Sequence, residues 1–268
     1  MSKHKGNIAV LLLTSLLLAI ATVVVMHGKG EGAEASGGQE RLESKTRQPD
    51  EKQRMKEEFE SQFPTVDFAS VEPDDPEEKA KRRAKGNKHN KARIPLEEVS
   101  EDDSIFSAED WEVGLPALPV SQSQVIILGR VSDSQAFLST DKTAVYSEFT
   151  VVIDEVLKND GPEQLKSGGV VVADRSGGRV RFPSGSVTLS QTQGQGMPRA
   201  GRQYVFFLAR RDQEENYSIL TGYELKAGRV ALLDNPGGNT HPIAEYKGVE
   251  QTTFLETLRN AIAGKDNP

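Results

Sequence analysis

Side chains that commonly perform nucleophilic or metal chemistry are scarce in this chain of 268 residues. Cysteine is absent, which excludes disulfides, thiolate metal sites and cysteine nucleophiles. The four histidines are His4, His27, His89 and His241. Only His241 falls where the pattern is typical of a folded domain, and it lies in a loop rich in glycine and proline. No serine has the glycine spacing of a hydrolase nucleophile, so we predict no catalytic residue, no metal and no cofactor.

Three arginines around a Gly-Gly pair are the strongest candidates for ligand binding. Arg175 precedes Gly177 and Gly178, and Arg179 and Arg181 follow them. Residues two apart on a strand share a face, so Arg179 and Arg181 would lie together. Because guanidinium groups and exposed glycine amides bind anions, we interpret the three arginines as a candidate contact for an anion or an anionic polymer. The alternative is a tight hairpin turn with solvated arginines.

A second basic cluster, residues 79–93, holds eight Lys and Arg. Its centre is Lys81, Arg82, Arg83, Lys85 and Lys88. One interpretation is a patch for anionic lipid or polymer, and the other is a solvated stretch balanced by acidic neighbours on both sides. No aromatic residues are interleaved for base stacking, and the whole chain carries a net charge of −7, so nucleic acid is not an expected partner.

An uncharged apolar run occupies residues 8–26, after Lys3 and Lys5. At about 1.5 Å per residue it would form a helix of roughly 28 Å, close to the hydrocarbon thickness of a bilayer. A cleaved signal peptide is the alternative, but its apolar region is usually shorter, about 7–15 residues. We predict that residues 1–27 are an uncleaved, single-pass transmembrane signal-anchor. The short basic tail favours an N-terminus inside and a C-terminal domain outside the cytoplasm.

The composition changes sharply over residues 28–110, where 15 Lys/Arg and 22 Asp/Glu occur in 83 residues. Such a segment buries too little apolar surface to offset its ordering entropy, so we expect a largely disordered linker. Two stretches within it carry helix signals. Residues 50–63 have a capping box and apolar residues four apart. Residues 75–86 begin with Asp75 as N-cap and Pro76 at the first helical position, and Gly86 is the expected end.

The remaining residues divide into a domain over 111–264 and a short tail over 265–268. Short runs rich in Val, Ile, Phe and Tyr alternate there with turn residues, which predicts seven or eight strands. Residues 145–158 are the clearest strand, and their length requires a strong twist or a bulge. Phe254, Leu255, Leu258 and Ile262 form one face of a C-terminal helix. We predict a mainly β, OB-like antiparallel barrel with one C-terminal helix, and a β-sandwich is the alternative.

Four stretches carry a resemblance, namely residues 125–131, 146–151, 155–158 and 201–208. They resemble uncharacterised exported or membrane-anchored bacterial proteins, and more loosely the OB-type barrels of the netrin and metalloproteinase-inhibitor kind. The resemblance covers about 100 residues and implies the barrel fold. The inhibitors depend on an N-terminal cysteine and on disulfides, so their function does not carry over to a chain without cysteine.

These observations favour a membrane-anchored binding or interaction module outside the cytoplasm, whose partner is an envelope protein or polymer. Two alternatives stay open. One is an envelope hydrolase that uses carboxylates. The other is a cytoplasm-facing module that binds anionic polymers through residues 79–93.

Overall fold

The structure is a computed structural model, and it describes residues 54, 61–91, 96–98, 104–107, 114–210, 216–235 and 241–264. The predicted signal-anchor, nearly all of the predicted helix over residues 50–63 and the C-terminal tail lie outside these residues. Within the described residues, no helix has the length and apolar character needed to cross a membrane.

Ten strands account for most of the regular structure in these residues. They are β1 (Thr65–Asp67), β2 (Ser104–Ser107), β3 (Val125–Leu138), β4 (Val145–Asn159), β5 (Val170–Ser176), β6 (Gly178–Arg181), β7 (Val187–Thr192), β8 (Gln203–Ala209), β9 (Tyr217–Lys226) and β10 (Arg229–Leu232). The helices are α1 (Pro76–Lys88), a 3-10 helix (Pro242–Tyr246) and α2 (Gln251–Ile262).

Five strands form a closed ring of hydrogen-bonded pairs. The order is β3-β4-β5-β9-β8, and β8 pairs with β3 again. All these pairs are antiparallel except β5–β9, which is parallel. The chain is therefore mainly β, and this strand order is the OB-like arrangement that the sequence predicts. β10 extends the sheet beside β9.

Bulges give the two longest strands their curvature. The pairing of β3 with β4 shifts register three times along its length. At one of these shifts, a Cβ on Gly129 would lie 2.8 Å from the carbonyl oxygen of Val152, so this close approach requires glycine. The register shifts confirm the predicted bulge. Residues 134–138 continue β3 and pair with β4.

The barrel interior is filled by alternate residues of its strands, among them Phe149, Val151 and Phe206, which are fully buried. A second apolar cluster lies outside the ring, where Phe254, Leu255 and Leu258 of α2 pack on β8, β9 and β10. This confirms the predicted apolar face of the C-terminal helix. Phe149 and Leu157 are eight residues apart on β4, yet Leu157 packs with the outer cluster, because a register shift lies between them.

A smaller sheet, with the order β1-β6-β7-β2, is built partly from the predicted linker. Both β1 and β2 come from that segment, and each pairs in parallel with one strand of the β6–β7 hairpin. Phe63 is buried in the barrel core, and Val66 packs in a third cluster with Val180. The described part of residues 28–110 thus differs from a solvated linker, because a few apolar side chains find buried positions despite the charged average composition.

Candidate binding face

Arg175, one of the three predicted anion contacts, is committed to a buried ion pair. Its guanidinium donates to both carboxylate oxygens of Asp234, at 2.6 and 3.0 Å, and the two side chains are 1% and 0% exposed. The guanidinium also donates to the carbonyls of Gly196 and Leu220. The amide of Gly196 and the hydroxyl of Thr221 donate to Asp234. An anion has no access to Arg175 in this arrangement, so this prediction is corrected.

The other two arginines lie in a different sheet from Arg175. Gly177 and Gly178 do not form the predicted hairpin turn. The chain instead passes there from β5 in the larger sheet to β6 in the smaller sheet. Both glycines have positive φ (112° and 153°). Arg181 is exposed and pairs with Asp67 at 3.3 Å, and Arg179 is half-buried on the same strand. The structure therefore does not bring the three arginines into one site.

Helix α1 forms where local signals predict it. The side chain of Asp75 accepts hydrogen bonds from the amides of Glu77 and Glu78, and Pro76 occupies the first turn. The helix continues two residues beyond the expected end at Gly86, to Lys88. Gly86 is the one buried residue of the helix, and a Cβ there would lie 2.6 Å from the hydroxyl of Thr140.

All five residues of the predicted basic patch have a carboxylate partner. The pairs are Lys81–Glu77 (3.0 Å), Arg82–Glu148 (3.4 Å), Arg83–Glu72 (2.7 Å), Lys85–Glu148 (3.3 Å) and Lys88–Asp174 (3.0 Å). Three of the five reach across to the barrel. Acidic groups therefore balance the cluster, in agreement with one of the two interpretations of the sequence. Two of these groups, Glu148 and Asp174, belong to the barrel and not to the sequence on either side of the cluster.

The surface beneath α1 combines two aromatic rings with two carboxylates, and we call Phe137, Tyr146, Glu148 and Asp174 the acid–aromatic face. They lie on β3, β4 and β5, the first three strands of the ring. Glu148 and Asp174 are directly opposite each other in the β4–β5 pairing. Arg82 lies over the ring of Phe137, with its guanidinium carbon 3.4 Å from the ring centre. No local sequence pattern marks this face, because its members are distant along the chain.

Burial perturbs the ionisable groups of this face. Asp174 is 3% exposed, and burial raises its pKa, although the Lys88 ammonium and the Ser218 hydroxyl oppose that shift. Burial also raises the pKa of Tyr146, against the opposing effect of Arg82. Glu72, which holds the helix from the solvent side, has its pKa lowered to about 2 by hydrogen bonds from Arg83 and Lys79.

His89 is the C-cap residue of α1 and lies on the same face. Its ring stacks on Tyr146, with the two ring centres 4.1 Å apart and an angle of 8° between the planes. Its Nε2 atom lies 3.9 Å from the nearer carboxylate oxygen of Asp174. The sequence places His89 in the linker, and only the docking of α1 brings it to the barrel.

Two cavities flank α1. One of about 340 Å³ lies beside Arg82, Phe137 and the residues that precede the helix. The other, of about 300 Å³, lies at the end of the helix and is lined by polar groups that include Lys88, His89 and Asp174. One cavity thus lies along the helix and the other lies at its C-terminal end.

The groups around Asp174 do not have the arrangement of a hydrolytic triad. Lys88 donates both to Ser218 and to Asp174, each at 3.0 Å, so it forms an ion pair with the carboxylate that the hydroxyl also contacts. Ser218 donates directly to Asp174, so no histidine lies between the hydroxyl and the carboxylate. Within the described residues, no group of three or more His, Asp or Glu is placed to hold a metal ion.

Comparison with known proteins adds no family to this picture. Neither a protein-family model nor a curated protein sequence matches the chain. The resemblance to exported bacterial proteins and to netrin-type barrels therefore stays a prediction.

Proposed function

We propose that the chain is a binding and interaction module of the cell envelope, anchored by residues 8–26, and that the acid–aromatic face is its ligand-binding surface. The observation that carries the proposal is the pair of Glu148 and Asp174, which lie opposite each other and take up cationic side chains. Like charges at opposed positions destabilise a sheet. A sheet that keeps such a pair therefore gains stability from whatever cation binds there.

The position of this face in the barrel supports the same function. The second and third strands of OB-like barrels, with the loop between the first and second, are where these folds commonly bind ligands. The corresponding elements here are β4, β5 and residues 139–144, and these elements form the surface beneath α1. A binding role also agrees with the ion-paired state of Lys88, which leaves no activated nucleophile at Ser218.

A cross-linking experiment tests the location of the site. A photoreactive residue at Gln135, which is exposed and lines the larger cavity, is compared with one at Asn260, which is exposed on α2. Illumination of intact cells that produce the full chain should give an adduct with another envelope component from position 135 and none from position 260. Adducts from position 260 alone, or from neither position, would contradict the proposal.

The anchor is tested separately by fractionation. The full chain should sediment with membranes and resist extraction by high salt or alkali, and a chain that begins at residue 28 should not. A C-terminal reporter that is active only in the cytoplasm would exclude an envelope-facing module.

A further inference from the structure

Helix α1 is attached to the barrel almost entirely by polar contacts. Six of its 13 residues are Lys or Arg and two are Glu. Gly86, its buried residue, contributes no apolar side chain to the interface. Its other contacts include ion pairs, the stacking of Arg82 on the Phe137 ring, and a hydrogen bond from the Thr140 hydroxyl to the carbonyl of Arg83 at 3.1 Å. Because burial of apolar surface is the main source of docking energy, this helix is bound weakly for its length.

The basic side chains that reach the barrel follow a regular spacing. Arg82, Lys85 and Lys88 are three residues apart, which places them along one side of the helix. Arg82 and Lys85 share Glu148, and Lys88 binds Asp174. The helix therefore meets the acid–aromatic face in the way a basic peptide ligand would meet it.

Departure of the helix would leave a surface that requires another cation. Glu148 and Asp174 would then face each other without a counter-charge, and Phe137 and Tyr146 would lose the groups stacked on them. A second helix with Arg or Lys at the same spacing, and with a small residue where Gly86 approaches Thr140, would satisfy all four groups.

We propose that α1 is a displaceable strap, and that the acid–aromatic face binds in its place an Arg/Lys-rich helical segment of a partner protein. This inference rests on the proposed function, because it names the ligand class and the regulation of the same face. The strap holds the face closed until a basic segment with better contacts competes for it.

Because the chain has no native cysteine, a disulfide can lock the strap without side reactions. The variant carries Gly86→Cys and Thr140→Cys in the full chain, purified in detergent. The probe is a fluorescent synthetic peptide of residues 74–91, and fluorescence anisotropy is measured on the same preparation before and after reduction. Circular dichroism of both states checks that the barrel remains folded.

We expect the reduced variant to bind the peptide saturably and the oxidised variant to bind it at least tenfold more weakly. The matched control peptide carries the changes R82Q, K85Q and K88Q, and it should bind the reduced variant at least tenfold more weakly than the native peptide. Equal binding by the oxidised and reduced states, equal binding of both peptides, or no saturable binding by the reduced state would each overturn the proposal.

The cross-linking experiment separates this inference from the proposed function. If the oxidised variant still forms the adduct from position 135, the face binds a partner but the strap does not control it. If no adduct forms from position 135 in the native chain, but the peptide binds only the reduced variant, the strap is displaceable. The proposed envelope partner is then contradicted, and the strap is not.

Discussion

The buried pair of Arg175 and Asp234 gives the sharpest test of the structural reasoning, because the sequence alone suggests a different role for Arg175. Asp234 accepts four hydrogen bonds, two from Arg175 and one each from Gly196 and Thr221. Replacement of Asp234 by Leu leaves a guanidinium that is 1% exposed without its counter-charge. Removal of one partner of a buried pair costs about 3–5 kcal/mol, so we expect the free energy of unfolding to fall by that amount.

The double variant, with Arg175→Met as well, distinguishes a structural pair from two independent contacts. Neither charge is then left alone in the interior, so the double variant should cost much less than the sum of the two single variants. It will still be less stable than the native chain, because the carbonyls of Gly196 and Leu220 lose their donor.

Urea unfolding followed by circular dichroism measures these changes, and an effect of about 3 kcal/mol is well above the error of linear extrapolation. Arg181→Met is the matched control. Arg181 is exposed, so its replacement should change the free energy of unfolding by no more than about 0.5 kcal/mol. If Arg175→Met were equally neutral, and phosphate stabilised the native chain but not this variant, Arg175 would be an anion contact and the reasoning would be wrong.

Three further predictions concern the strap, the core and pH. Gly86→Val should speed hydrogen exchange in α1 and leave the barrel amides protected. The control Ala84→Val, at an exposed position, should leave hydrogen exchange in α1 unchanged. Unchanged exchange in the Gly86→Val variant would show that the helix accommodates a side chain at position 86. Phe206→Ala should cost about 3–5 kcal/mol in urea unfolding, because the ring is fully buried in the barrel, and a cost below about 1 kcal/mol would contradict that packing. On acidification the Lys88 contact should weaken first, because the pKa of Asp174 is raised and the pKa of Glu72 is about 2. A fluorophore at each end of α1 would follow this order, and earlier loss of the Glu72 end would refute it.

The sign of the two pH effects follows from linkage. Glu72 has a folded-state pKa below its ordinary value, so its contribution is complete above about pH 4.5 and is lost as the pH falls towards about 2. Asp174 has a folded-state pKa above its ordinary value, so its proton is taken up at a higher pH in the folded chain. Its ionised form, which Lys88 binds, is therefore lost before that of an ordinary aspartate.

Local patterns were sufficient for the long strand β4, for helix α1 and for the class of fold. Alternation of apolar residues over 145–158 predicted a long strand, and β4 spans Val145–Asn159. The cap at Asp75 and the proline after it predicted α1, because those signals act within one helical turn. The number and spacing of strands predicted the OB-like barrel, since few ways exist to bury so many short strands without open edges.

Composition averages were a poorer guide to what belongs to the domain. The linker prediction followed from the high charge of residues 28–110, yet Phe63, Val66 and Leu96 from that segment are buried. A few apolar residues are enough to attach a charged segment when an existing sheet offers edges and crevices. An average over 83 residues cannot detect them.

The sequence by itself determined the absence of thiol chemistry, the β-rich barrel, the helix α1 and its excess of positive charge. Only the tertiary structure decided what that charge does. Lys88 meets Asp174 across 86 residues of chain, and Arg175 meets Asp234 across 59. Which carboxylate neutralises a basic residue depends on strand register and on burial, and neither is encoded within the few residues that surround it. The same arginine and lysine types could have formed an exposed anion site; the fold instead directed Arg175 into the interior and Lys88 onto an acidic face.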